Sequence, residues 1–255
     1  MTEAAMEIWT GEYSSFADAP RTGPGKRGGV WLEKAEKRAR DLLAAAARGD
    51  FVHGAHGGEP SGLSVLIASV GSIGDTVRVL DFGGALGFGY VPAAASLAGE
   101  IGVEYHIVEL EEKCEKGREI FKGNEGVRFH SEFESLPQEF DIVYAASTLQ
   151  YIDDWKGALA RLADIGAERL YLENLAAGDM ESFVTTQNYY GSRIPYRFLN
   201  VREVISELEN REYRLILKSP YFGKILGRYG RLPMDNFAQH RRLPYACSLL
   251  FRKRG

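Results

Sequence analysis

Apolar residues recur along this chain in two rhythms. From residue 77 onward, short apolar runs alternate with stretches whose apolar positions fall three and four apart. The runs 77–82, 104–109, 126–130, 139–146 and 168–174 read as strands, and the stretches 88–98, 111–122 and 155–165 read as helices. The run through Ile142-Val143-Tyr144-Ala145-Ala146 is nearly all apolar, as expected of a parallel strand buried on both faces. Alternation at this spacing predicts βαβ units, a parallel sheet and right-handed crossovers that cover both faces with helices. The order changes late in the chain: a helix near 201–210, a strand near 213–218 and a strand near 245–252.

Upstream, Trp31, Leu32, Ala35, Ala39, Leu42, Leu43 and Ala46 share one face of a helix expected over 31–48. A shorter helix is expected over 61–70, and the Gly/Pro-rich stretch 20–29 reads as a loop. These patterns divide the chain into a helical and irregular extension, 1–72, and a catalytic domain, 73–255. The stretch 174–199 follows the fifth strand and overhangs the carboxyl edge of the sheet, where ligands bind in such folds. It reads either as a lid or substrate wall, or as a helical surface excursion. The stretch 222–244 is a second candidate wall.

Composition narrows the function classes. At 255 residues with a net charge of −4, the chain has the core of one large domain and no global attraction to nucleic acid or anionic membrane. The basic residues gathered late in the chain read as a solvated face. Two cysteines without metal-ligand spacing, Cys114 and Cys247, predict free thiols rather than a disulfide scaffold. His53 and His56 share a glycine-rich turn but have no third ligand nearby, so no metal is expected. No 18-residue apolar run and no signal-peptide pattern occur, and a cytoplasmic location is the expectation.

The chemistry centres on Val79-Leu80-Asp81-Phe82-Gly83-Gly84-Ala85-Leu86-Gly87-Phe88-Gly89. A strand runs into a glycine turn and then into a helix whose first N–H groups lack partners, so the backbone can approach a nucleotide-like ligand closely. The spacing is not the G-x-G-x-x-G of dinucleotide folds. It resembles the first motif, D-x-G-x-G-x-G, of S-adenosylmethionine (SAM) methyltransferases, with Asp81, Gly83 and Gly87 in place and Ala85 where the middle glycine belongs. The second strand ends on Glu109, placed to accept hydrogen bonds from ribose hydroxyls.

Further blocks, Ala146-Ser147-Thr148-Leu149-Gln150-Tyr151-Ile152, Val184-Thr185-Thr186-Gln187 and Ile194-Pro195-Tyr196-Arg197-Phe198, make residues 77–217 similar to one family of SAM-dependent methyltransferase-like proteins. Members of that family usually carry Val-Glu-Gln where this chain has Val108-Glu109-Leu110. The resemblance implies a three-layer α/β sandwich around a mostly parallel seven-stranded sheet with a C-terminal antiparallel hairpin. It also implies SAM as cofactor, held by Asp81, Gly83, Gly84, Gly87, Glu109 and Ser147. The expected substrate is a small molecule of secondary metabolism.

Methyl transfer from a sulfonium is an in-line displacement in which the protein supplies position and electrostatics. Gln150, Glu173 and Gln187 are the residues expected to face the reacting groups. Glu173, Tyr151 and Asp153 are candidate bases, although the pair Asp153-Asp154 also reads as a helix N-cap. A second enzyme class fits the same crevice: intramolecular attack of an amine on a carbon bearing an anionic leaving group, closing a small nitrogen ring such as an aziridine. There Glu109 or Glu173 takes the proton, and Lys156, Arg193 or Arg197 meets the departing anion. A third class is a non-catalytic subunit that docks a protein partner through its N-terminal extension.

Overall fold

The computed structural model describes residues 7–27, 29–51, 62–97, 99–225 and 228–255; His53 and His56 lie outside the described residues. The elements, in chain order, are β1 (Trp9–Tyr13), α1 (Gly29–Ala47), α2 (Gly62–Val70), β2 (Thr76–Phe82), α3 (Tyr90–Ser96), β3 (Gly102–Val108), α4 (Glu111–Ile120), β4 (Val127–His130), β5 (Ile142–Ala146), α5 (Trp155–Asp164), β6 (Arg169–Leu175), β7 (Ala177–Gly178), β8 (Phe183–Tyr189), β9 (Ser192–Asn200), α6 (Val201–Glu209), β10 (Tyr213–Tyr221), β11 (Lys224–Ile225), β12 (Arg228–Tyr229) and β13 (Ala246–Lys253).

Seven strands form the central sheet, in the order β10-β13-β6-β5-β2-β3-β4. The five from β6 to β4 are parallel, while β13 runs antiparallel to both β6 and β10. Successive residues of a strand face opposite ways, and the core follows that rule. Val79, Tyr105, Ile107 and Ile142 pack with α1, α2, α3 and α4 on one face. Leu80, Val108, Val143 and Leu170 pack with α5 and α6 on the other. These are the three layers of the expected sandwich.

Two helices, α5 and α6, begin on side-chain caps. The Asp154 carboxylate accepts a hydrogen bond from Gly157 N at 2.9 Å, and the Asn200 side chain accepts one from Arg202 N at 2.8 Å. Cys114 and Cys247 are free and buried.

The stretch 174–199 is neither a helical excursion nor an irregular lid. It folds into β7, β8 and β9, which with β1 form a second, four-stranded sheet in the order β1-β8-β9-β7. The turn between β8 and β9 places Tyr190 (φ 48°) and Gly191 (φ 77°) in the left-handed region, as a two-residue hairpin turn of type I′ requires. The N-terminal segment belongs to this sheet, since Trp9 and Thr10 pair with Gln187 and Thr186. Thr22 and Arg193 then exchange backbone hydrogen bonds of 3.1 and 3.0 Å. The second sheet and the loop 20–27 therefore stand over the carboxyl ends of the central strands.

Candidate functional site

Between the central sheet's carboxyl edge and this N-terminal wall lies a cavity of about 2440 Å³. Its floor is built from the ends of β2, β3, β5 and β6. Three non-glycine residues, just past β2 and β5 and at the end of β6, hold left-handed backbone: Ala85 (φ 53°), Ser147 (φ 53°) and Asn174 (φ 50°). Each costs of order 1 kcal/mol or more, and such strain persists where the surroundings enforce it. Ala85 thus adopts the conformation that the expected middle glycine would take without strain. Asn174 Nδ2 donates to Ser147 Oγ at 2.6 Å, which ties two of the three turns together.

Asp81 is the deepest acid of the floor, only 2% exposed. Its Oδ2 accepts from the Tyr105 hydroxyl at 2.8 Å, and its Oδ1 has no partner. Burial pushes its carboxyl up to about 7; the Tyr105 hydrogen bond opposes that rise, and Glu109 and Glu173 reinforce it. Gly84 and Gly89 wall this carboxylate, because a Cβ on either would strike Asp81 or the Tyr105 hydroxyl. At Gly83 (φ 76°) a Cβ would lie 2.5 Å from Thr148 Cγ2.

The other acids of the floor are already engaged. Glu109 Oε1 accepts from Lys113 Nζ at 2.7 Å and Oε2 from Leu110 N at 2.8 Å. A carboxylate offers about four acceptor positions, so two lone-pair directions are left for a ligand. Glu173 accepts from Gly62 N at 2.9 Å, from the Tyr171 hydroxyl at 3.0 Å and from the Tyr144 hydroxyl.

Above them, the Gln150 amide donates to the Asn174 carbonyl at 3.2 Å while its buried Oε1 has no partner. Gln187 Oε1 accepts from the Tyr151 hydroxyl at 2.9 Å. Asp81, Gly83, Gly84, Glu109, Ser147, Gln150, Glu173 and Gln187 all line the one crevice.

Gly87, Lys156, Asp153 and Arg197 are not among the residues that line it. Gly87 (φ 78°) turns its back on the cavity, and a Cβ there would press on the Phe121 ring at 2.9 Å, so it serves the strand-to-helix turn. Lys156 is 52% exposed on the outer face, where its Nζ pairs with Glu207 of α6 at 3.0 Å. Arg197 is also committed elsewhere, donating to the Asp153 carbonyl at 2.6 Å. Arg193 does line the crevice.

Sequence reasoning missed Lys26. Its Nζ stands 3.2 Å from the centroid of the Tyr151 ring and 5.8 Å from that of Tyr189. Burial lowers its ammonium to about 7, with repulsion from Lys113 adding to the shift and Glu109 opposing it. Only the loop's glycines hinted at it. Gly23 and Gly25 are left-handed, with Ser192 Oγ and the Ile194 side chain where their Cβ atoms would be. Gly25 N donates to Ser192 Oγ at 3.1 Å, which pins the loop carrying Lys26 to the hairpin.

No protein-family model and no curated protein sequence matches the chain. Solved structures do resemble it. The 1,6-didemethyltoxoflavin-N1-methyltransferase of Burkholderia thailandensis, solved with 1,6-didemethyltoxoflavin and S-adenosylhomocysteine bound, is 18% identical with a TM-score of 0.52, over 93% of both chains. A Listeria monocytogenes protein assigned to the SAM-dependent methyltransferases is 12% identical with a TM-score of 0.52, over 76% of this chain and 99% of its own.

Proposed function

From the methyltransferase fold as premise, we propose that the crevice binds SAM and directs its methyl group to a small-molecule acceptor. The observation that carries this reading is the cradle at the end of β2: a buried carboxylate with one unpartnered oxygen, walled by two glycines that leave no room for a side chain. SAM is cationic at its sulfonium and its ammonium, and the floor offers Asp81, Glu109 and Glu173 to such a ligand. When bound, SAM supplies an activated methyl group for in-line displacement.

The chain's own residues then position and exclude. Asp81 presents Oδ1 as a hydrogen-bond acceptor, and its negative charge is completed when a cation arrives. Glu109 keeps two acceptor directions for ribose hydroxyls while Lys113 fixes its rotamer. Gln150 presents an unpartnered amide oxygen, and Tyr151 and Gln187, joined by a hydrogen bond, form the wall that orients a polar acceptor. The second sheet and its loop form the wall facing the floor across the crevice.

Ring closure by amine displacement has one observation in its favour, the cation of Lys26 inside the crevice. Titration calorimetry with SAM and S-adenosylhomocysteine separates the two readings. Methyl transfer requires saturable binding of both, lost in Asp81→Ala and Gly83→Val. Absence of binding at millimolar ligand would refute it.

A further inference from the structure

The crevice is electrically two-sided. Its floor is acidic, while the wall built from residues 26–38 is basic. Lys26, Arg27, Lys34 and Arg38 all line the cavity, and among the described residues none of them has a carboxylate within ion-pair distance. Lys37 also lines the cavity but is paired there with Asp41 at 2.6 Å. Lys34 and Arg38, one turn apart, rest over the rings of Tyr190 and Phe88, at 4.1 and 4.6 Å.

Lys26 is the innermost of the four. A half-buried lysine head without a carboxylate partner gives up hydration that the Tyr151 ring restores only in part. The groups facing it are the Tyr151 and Tyr189 rings, Lys113 and Glu109, and Glu109 is already taken by Lys113. An anion of the ligand would restore what burial removes.

We infer that the acceptor molecule of this crevice is anionic, and that its carboxylate or sulfate-like oxygens are held by Lys26 on the N-terminal wall. The inference rests on the reading of the crevice as a small-molecule site, and it assigns the floor to the cationic cofactor and the wall to the anionic acceptor. Lys26, whose ammonium is lowered to about 7, gains a proton when the anion arrives.

The probes are sodium sulfate and sodium acetate, titrated calorimetrically into the protein at pH 7 and constant ionic strength, in two buffers of different ionisation enthalpy. Sulfate, acetate or both bind saturably, and which of them does so states whether the site prefers a tetrahedral or a planar oxyanion. Binding takes up about half a proton. Lys26→Met weakens it about tenfold or more, whereas Lys26→Arg retains it without proton uptake. Lys218→Met, on the sheet-edge strand β10, changes nothing.

Failure of both anions to bind, or equal binding by wild type and Lys26→Met, overturns the inference. A parallel titration with S-adenosylhomocysteine keeps the two readings apart. If wild type binds sulfate or acetate but not S-adenosylhomocysteine, the cofactor reading fails and the anionic site stands. If it binds only S-adenosylhomocysteine, the reverse holds.

Discussion

Gly84→Ala adds a single methyl group at the tightest point of the floor. Gly84 is not in the left-handed region, so the substitution tests space rather than backbone strain. The new Cβ would strike Asp81 Oδ2 first, and would lie 2.5 Å from Cγ and 3.1 Å from Oδ1. An ordinary contact begins near 3.4 Å, so the carboxyl group must retreat by at least about 0.9 Å, the difference between 3.4 and the 2.5 Å to Cγ. The Tyr105 hydroxyl already stands at 2.8 Å from Oδ2, and a retreat of that size carries the pair beyond hydrogen-bonding range. Losing a donor to a buried charged group costs about 1.5–3 kcal/mol, and overpacking adds about 1–3 kcal/mol. The expected loss is therefore roughly 2.5–6 kcal/mol.

For a chain of this size each kcal/mol moves Tm by about 2–4 °C, so scanning calorimetry should show a fall of roughly 10 °C. Affinity for S-adenosylhomocysteine should drop with it. Gly230→Ala, whose Cβ would meet nothing within 4 Å, is the control for stability. In an Asp81→Ala background the Gly84 substitution has little left to strike, so its cost should shrink below about 1 kcal/mol. A Tm within 2 °C of wild type with unchanged affinity, or an undiminished cost in the Asp81→Ala background, would refute the reasoning.

Three further outcomes are expected. Asp81→Asn should raise Tm more at pH 8 than at pH 5 while weakening SAM binding: burial lifts the native carboxyl from 3.8 to about 7, so keeping it charged costs stability increasingly as pH rises through that interval; a destabilised variant at pH 8 would contradict this. His130→Gln should flatten the acid limb of a stability–pH curve, because burial holds His106 below its ordinary value and His130 down to about 4; the unfolded chain takes up protons first as pH falls below about 6.5, so their contribution is present above that value and lost below it, and equal slopes between pH 6.5 and 4 in both proteins would argue against it. Lys156→Ala should shift stability by no more than about 1 kcal/mol, as for an exposed ion pair, and leave binding of SAM and S-adenosylhomocysteine untouched; calorimetric loss of binding would return Lys156 to the site.

The parallel half of the fold was legible because its strands are buried on both faces and carry little else but apolar residues. Bounds over 76–175 agree with the pattern to within about three residues. The second sheet was not legible as strands because β8 buries polar side chains: Thr185, Thr186 and Gln187 are all buried, which erases the polar–apolar alternation. A signal was present nonetheless in β-branched and aromatic runs flanking Tyr190-Gly191, the sequence form of a hairpin. The place of Asp81, Gly83 and Gly84 on the crevice floor was legible because strand and glycine turn are contiguous. Lys26 was hidden because its surroundings, Tyr151, Tyr189 and Lys113, are far away in sequence and no local pattern can announce them. Lys156 was over-read for the converse reason: its helix start is local, but its partner Glu207 is not.

The bridge between Thr22 and Arg193 also sets an order of events in time. It joins positions 171 apart, and contacts of such separation form late, after the loop between them has been closed. During synthesis β2, β3, β5 and β6 are made before β8 and β9 emerge, so the loop 20–27 waits for its partner while more than 160 residues are added. β13, which pairs with β6, comes later still, so floor and wall of the crevice are both completed only by the last third of the chain.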